Sequence, residues 1–74
     1  MPELPHISGR KAIKIFESIG FEIVRQKGSH VVLRKGNKGC VVPVHKELTI
    51  GTLRSAIKQS GITIEEFIDA YKNR

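Results

Sequence analysis

Phe21-Glu22-Ile23-Val24-Arg25-Gln26, Lys27-Gly28-Ser29 and His30-Val31-Val32-Leu33-Arg34 follow one another as strand, turn and strand. The first run alternates, so Phe21 and Ile23 are expected to face a core and Glu22 and Gln26 to face away. The second run is β-branched and apolar. Downstream, Lys35-Gly36-Asn37-Lys38-Gly39 holds two glycines, an asparagine and no apolar residue, which marks a second turn. Cys40-Val41-Val42-Pro43-Val44 then reads as a third strand, whose proline belongs at a sheet edge or a strand end. Turns this short join antiparallel neighbours.

Helices are expected on both sides of this unit. Residues 1–7 carry two prolines and no periodicity, an extended lead-in. Ser8 is placed to cap a helix in which Ala12, Ile13, Ile15, Phe16 and Ile19 form the apolar stripe, and Gly20 to stop it. After the connection His45-Lys46-Glu47-Leu48, Thr49 can cap a helix over Ile50–Ser60. Its Ile50, Leu53, Ala56 and Ile57 point inward, Arg54 and Lys58 outward, and Gly61 ends it. Thr63 and Glu66 have capping-box spacing ahead of a last helix with Ile64, Phe67, Ile68 and Tyr71 on one side. The order is α-β-β-β-α with a short appended helix: an α+β fold with a three-stranded antiparallel sheet.

The second hairpin admits more than one register. Setting Val31 opposite Val44 and Leu33 opposite Val42 gives one wholly apolar face. On the other face it sets His30 opposite His45, Val32 opposite Pro43 and Arg34 opposite Val41. A one-residue slip mixes His30 and Arg34 with Cys40, Val42 and Val44, and neither face is then clean. The first register is therefore expected, with the two imidazoles side by side on the open face.

Composition limits the function classes. The 74 residues make one small domain, 1–74, with 39% hydrophobic residues and four aromatics, so Ile, Val and Leu must build the core. One cysteine, Cys40, excludes an internal disulfide and suits a reducing compartment. There is no apolar run of the roughly 20 residues a membrane span needs, and no signal-peptide layout, so a cytoplasmic protein without membrane contact is expected. The net charge is +6, but Arg10 to Lys58 holds eleven Lys and Arg against three acids. Such a basic field draws polyanions, nucleic acid first, or an acidic protein. A basic surface with no specific ligand would satisfy the charge equally well.

Gly28-Ser29-His30 lies inside that basic stretch. Histidine alone can take and give a proton near neutral pH with an unperturbed pKa. His30 and His45 together have the chemistry of a general base and a general acid on one phosphodiester. Each also has a plain reading: His30 a strand start, His45 a turn residue, and His6 a solvated side chain of the lead-in. No Asp, Glu or Cys cluster stands at ligand spacing, so a metal site is not expected and no cofactor is called for. Cys40 reads as a small core residue.

Gly28-Ser29-His30, then Val42-Pro43-Val44-His45, then Ile50-Gly51-Thr52-Leu53-Arg54-Ser55-Ala56-Ile57-Lys58-Gln59-Ser60-Gly61 resembles the HicA (YcfA-like) toxins of toxin–antitoxin pairs, over roughly Ile7 to Phe67. The resemblance implies a double-stranded-RNA-binding-domain-like fold with helices on one face of the sheet. It implies a metal-independent endoribonuclease that cuts mRNA, with His30 as catalytic residue, and a HicB-like antitoxin that covers it. Many members carry a second histidine directly after the first; here that position is Val31. Lys27, Arg34, Lys35, Lys38, Arg54 and Lys58 are the candidates for phosphate neutralisation, with His45, Ser29 and Gly28 as support around His30. A non-catalytic module of the same fold that binds double-stranded RNA or an acidic protein is the alternative.

Overall fold

The computed structural model describes residues 3–73; Met1 and Pro2 of the expected lead-in, and Arg74, lie outside the described residues. The order is α1 (Gly9–Ile19), β1 (Glu22–Lys27), β2 (His30–Lys35), β3 (Lys38–Pro43), α2 (Ile50–Ser60) and α3 (Ile64–Lys72). The strands form one antiparallel sheet in the order β1-β2-β3. This is the expected α-β-β-β-α arrangement with a third helix added.

The caps act as their residue types suggest. Ser8 Oγ accepts from the Lys11 N–H at 3.1 Å and Thr49 Oγ1 from the Thr52 N–H at 3.1 Å. Thr63 and Glu66 close a capping box in both directions, at 2.9 and 3.0 Å. Burial then follows the 3.6-residue period, and Ala12, Ile15, Phe16, Leu53, Ala56 and Ile57 are almost sealed from solvent. Phe16 is the hub. Its ring meets Phe21 edge-on at 5.5 Å and Phe67 at 5.3 Å, joining α1 to the start of β1 and to α3. The lead-in is tied down as well: Leu4 and Ile7 are buried, and the Leu48 N–H donates to the Ile7 carbonyl at 2.8 Å.

The sheet separates its faces as expected, but in another register. Val31, Leu33, Cys40 and Val42 are buried on the helix side. Their pairing is Val31 with Val42 and Leu33 with Cys40, and His30 faces Pro43, not His45. A two-residue shift keeps every side chain on its face, so face separation cannot choose between these registers. The turn chooses. Lys35 pairs with Lys38, which leaves Gly36-Asn37 as the loop with Gly36 at φ 62°. A type II′ hairpin needs positive φ at its first central position. The expected register would have put Asn37 there. Gly28, at φ 60°, does the same for the loop between β1 and β2.

A bulge corrects the reading of β1. Ile23 faces Leu33 but Arg25 faces Val32, so Val24 is one residue extra. Ile23 faces the helix side, opposite Leu33, but it is 48% exposed on the edge strand and borders an open cleft beside Ile13 and Glu17 of α1 rather than the core. After the bulge the alternation reverses. Gln26 lies opposite Val31 on the helix side of the sheet, while Arg25 and Lys27 join Val32 and His30 on the outer side.

Cys40 is 3% exposed, and burial pushes its thiol from 9.0 up to about 11. The unfolded chain therefore loses this proton first. The stability held by the buried thiol is fully present below about pH 9 and is lost as pH rises through 11, by up to about 1.4 kcal/mol per pH unit. Urea unfolding at pH 8 and pH 10.5 should show a larger loss for the natural protein than for Cys40→Ala. Equal losses would contradict the burial argument.

Among the described residues, no helix is long and apolar enough to cross a membrane.

Candidate nucleic-acid groove

The outer edge of β3 is met by α2. The Val41 N–H finds no partner in β2 and donates instead to Gln59 Oε1 at 3.2 Å, which ties the helix to the strand. Along this seam runs a groove. One half, about 480 Å³, is bordered by His30, Pro43 and His45 on the sheet side and by Gly51, Thr52 and Ser55 on the helix side. The other half, about 610 Å³, is bordered by Arg34, Lys38 and Lys58. Val41 and Gln59 line both halves. Among the described residues, no acidic side chain lines either one. The result is a trough with two imidazoles at one end and three cations at the other.

His30 opens β2 directly after the Gly28-Ser29 loop, exposed on the outer face of the sheet. His45 lies past the end of β3. Its carbonyl accepts from the Gly9 N–H at 2.9 Å, which fixes the backbone and leaves the exposed ring free to turn. The two histidines are brought together by the groove rather than by the strand ladder. Neither ring has a hydrogen-bond partner among the described residues, so both can present a nitrogen to a ligand.

The other sequence candidates divide. Lys27 pairs directly across from His30 and shares its face. Arg34, Lys38 and Lys58 border the far half of the groove. Arg54 is exposed on α2, one turn before Lys58, outside the lining. Lys35 is drawn away: its Nζ donates to the Ile19 carbonyl at 2.9 Å and caps the C-terminus of α1. It sits five positions along β2 from His30, about 17 Å at strand rise. The Ser29 carbonyl accepts from the Val44 N–H at 2.6 Å, and the Gly28 carbonyl accepts from Gln26 Nε2 at 3.0 Å. Both brace the hairpin, and neither lines the groove. His6 stands apart, 3.7 Å from a Glu47 carboxylate oxygen.

Several residues enter the site unannounced. Arg25 reaches the outer face only because of the bulge, which no local pattern marks. Thr52, Ser55 and Gln59 have a faint signal: they repeat at helical spacing between the apolar stripe of α2 and its cations. Among the described residues, no group of three or more His, Cys, Asp or Glu stands close enough to hold a metal.

Fold and site together define a small basic α+β protein with an α-β-β-β-α core and a histidine-bearing cationic groove. The family model described as HicA toxin of bacterial toxin-antitoxin matches residues 9–62, from the first residue of α1 to just past α2. The chain belongs to the HicA toxin family. Membership makes it the toxin member of a toxin–antitoxin pair and implies an antitoxin partner. No curated protein matches the chain.

Proposed function

We propose that this chain is a metal-independent endoribonuclease that cuts mRNA in the β3–α2 groove, with His30 as the catalytic residue. The observation that carries the reading is the position of His30: exposed, without a hydrogen-bond partner among the described residues, and at one end of a trough whose other end is cationic. Arg34, Lys38 and Lys58 neutralise phosphates of the strand, and Lys27 adds charge beside His30. The ribose 2′-OH attacks the adjacent phosphorus, and the P–O5′ bond breaks. One imidazole takes the 2′-OH proton and the other gives a proton to the departing 5′-oxygen. His30 and His45 fill these two roles. The products are a 2′,3′-cyclic phosphate and a 5′-hydroxyl, and no co-reactant is consumed. The antitoxin, a HicB-like protein, inhibits by covering His30 with a surface that complements the basic rim.

The substrate tests this chemistry. An oligonucleotide with 2′-O-methyl groups at every position should bind but resist cleavage, while its all-RNA counterpart is cut in excess EDTA to cyclic-phosphate ends. Cleavage of the 2′-O-methyl strand, or loss of cleavage with EDTA, would overturn the mechanism. Protein that binds RNA without ever cutting it would be a binding module of the same fold.

A further inference from the structure

The hydrogen bond of Gln59 spans the seam of the groove, and it uses only half of the side-chain amide. The Val41 N–H is a donor, so the atom it meets at 3.2 Å must be the carboxamide oxygen. The NH2 group is left over. It carries two donors and has no acceptor among the described residues. Gln59 lines both halves of the groove, between the cations at one end and His30 and His45 at the other. Ser55, one turn earlier on α2, lines the histidine half, and its hydroxyl also has no partner among the described residues. Among the described residues no carboxylate lines the trough, so none competes with an anionic ligand for these donors.

We infer that Gln59 is a positioning residue for RNA: its oxygen holds the fold and its amide nitrogen donates to a phosphate oxygen, keeping the strand in register with His30. The inference rests on the proposed function and deepens it. The contact is made to a phosphate beside the scissile one, so it is equally strong before and during the reaction. It therefore acts on KM and leaves kcat unchanged. Its donor is neutral, so it releases no counterion and adds nothing to the salt dependence of binding, unlike Lys58.

The two jobs of the side chain separate chemically. Gln59→Glu keeps an acceptor for the Val41 N–H and replaces the donor with an anionic oxygen. Gln59→Ala removes both. Binding is read by fluorescence anisotropy on a 2′-O-methyl oligonucleotide, cleavage on all-RNA, and folding by thermal melts. Gln59→Glu should melt with the natural protein, bind at least about 10-fold more weakly and raise KM to match, with kcat within about 3-fold. Gln59→Ala should bind about 5-fold to 10-fold more weakly with an unchanged salt slope, whereas Lys58→Ala lowers that slope by about 0.7. Two results overturn the inference. One is Gln59→Glu binding and cutting like the natural protein, which leaves Gln59 only a tie between α2 and β3. The other is weakening in Gln59→Glu alone, with Gln59→Ala binding normally, which reduces the effect to introduced charge. Natural protein that binds but does not cut refutes the proposed reaction and leaves the binding comparison standing. Natural protein that does not bind RNA refutes both.

Discussion

Gly9→Ala is expected to lose about 3 kcal/mol or more of folding stability, the upper part of the range for overfilling a packed site. Gly9 is the first residue of α1 and is buried against the end of β3. A Cβ there would overlap the Pro43 carbonyl oxygen and come within 3.0 Å of Val44 Cα. Both obstacles are backbone, so no rotamer change relieves them. The Gly9 N–H also donates to the His45 carbonyl at 2.9 Å, so helix and strand cannot simply move apart. Every residue other than glycine carries this Cβ, and alanine is the mildest case. A domain of this size shifts its Tm by about 4–8 °C for each kcal/mol, so the melt should fall by about 12 °C or more. Gly51→Ala is the internal control. Nothing lies within 4 Å of a Cβ at that position. There the substitution should raise helix stability by about 0.5–1 kcal/mol. A Gly9→Ala melt within a few degrees of the natural protein would refute the close approach. The same contact sets the backbone at Pro43 and His45, so it fixes one wall of the groove.

Most elements of this fold were legible because each is signalled locally. Ser8, Thr49 and Thr63 announce helix starts, Gly20 and Gly61 announce stops, and apolar spacing supplies the faces between them. What was not legible depends on pairs of elements. The two-residue register error at the second hairpin arose because face alternation has a period of two and is blind to such a shift. Gly36 held the missing information, since it alone could take positive φ at the first loop position. The bulge at Val24 has no such marker, and it turned Arg25 toward the face of His30 and Gln26 toward the helix side. The groove was further out of reach. It exists because Gln59 meets the free edge of β3, a contact between residues 18 positions apart. His30 stood out by residue type, and the resemblance gave it a role. Its nearness to His45 came through the groove and not through the pairing that first suggested it.

His30→Ala carries the second large effect. The imidazole is exposed and makes no hydrogen bond among the described residues, so its removal should change stability by no more than about 0.5 kcal/mol. Its cross-strand neighbours Lys27 and Pro43 remain in place. The loss should therefore fall on chemistry. A positioned proton transfer contributes about 10²–10⁴-fold, and RNA binding through the cations should persist. His45→Ala should also slow cleavage if its ring is the second proton-transfer group, since both rings border one cavity of about 480 Å³.

The direct measurement is single-turnover cleavage of one RNA oligonucleotide in EDTA by the natural protein and by His30→Ala, after matched melts show both folded. The natural protein should cleave to cyclic-phosphate ends, and the variant should cut at a rate at least about 10²-fold lower, at similar RNA affinity. Folded His30→Ala that cuts as fast as the natural protein would contradict the catalytic role of His30.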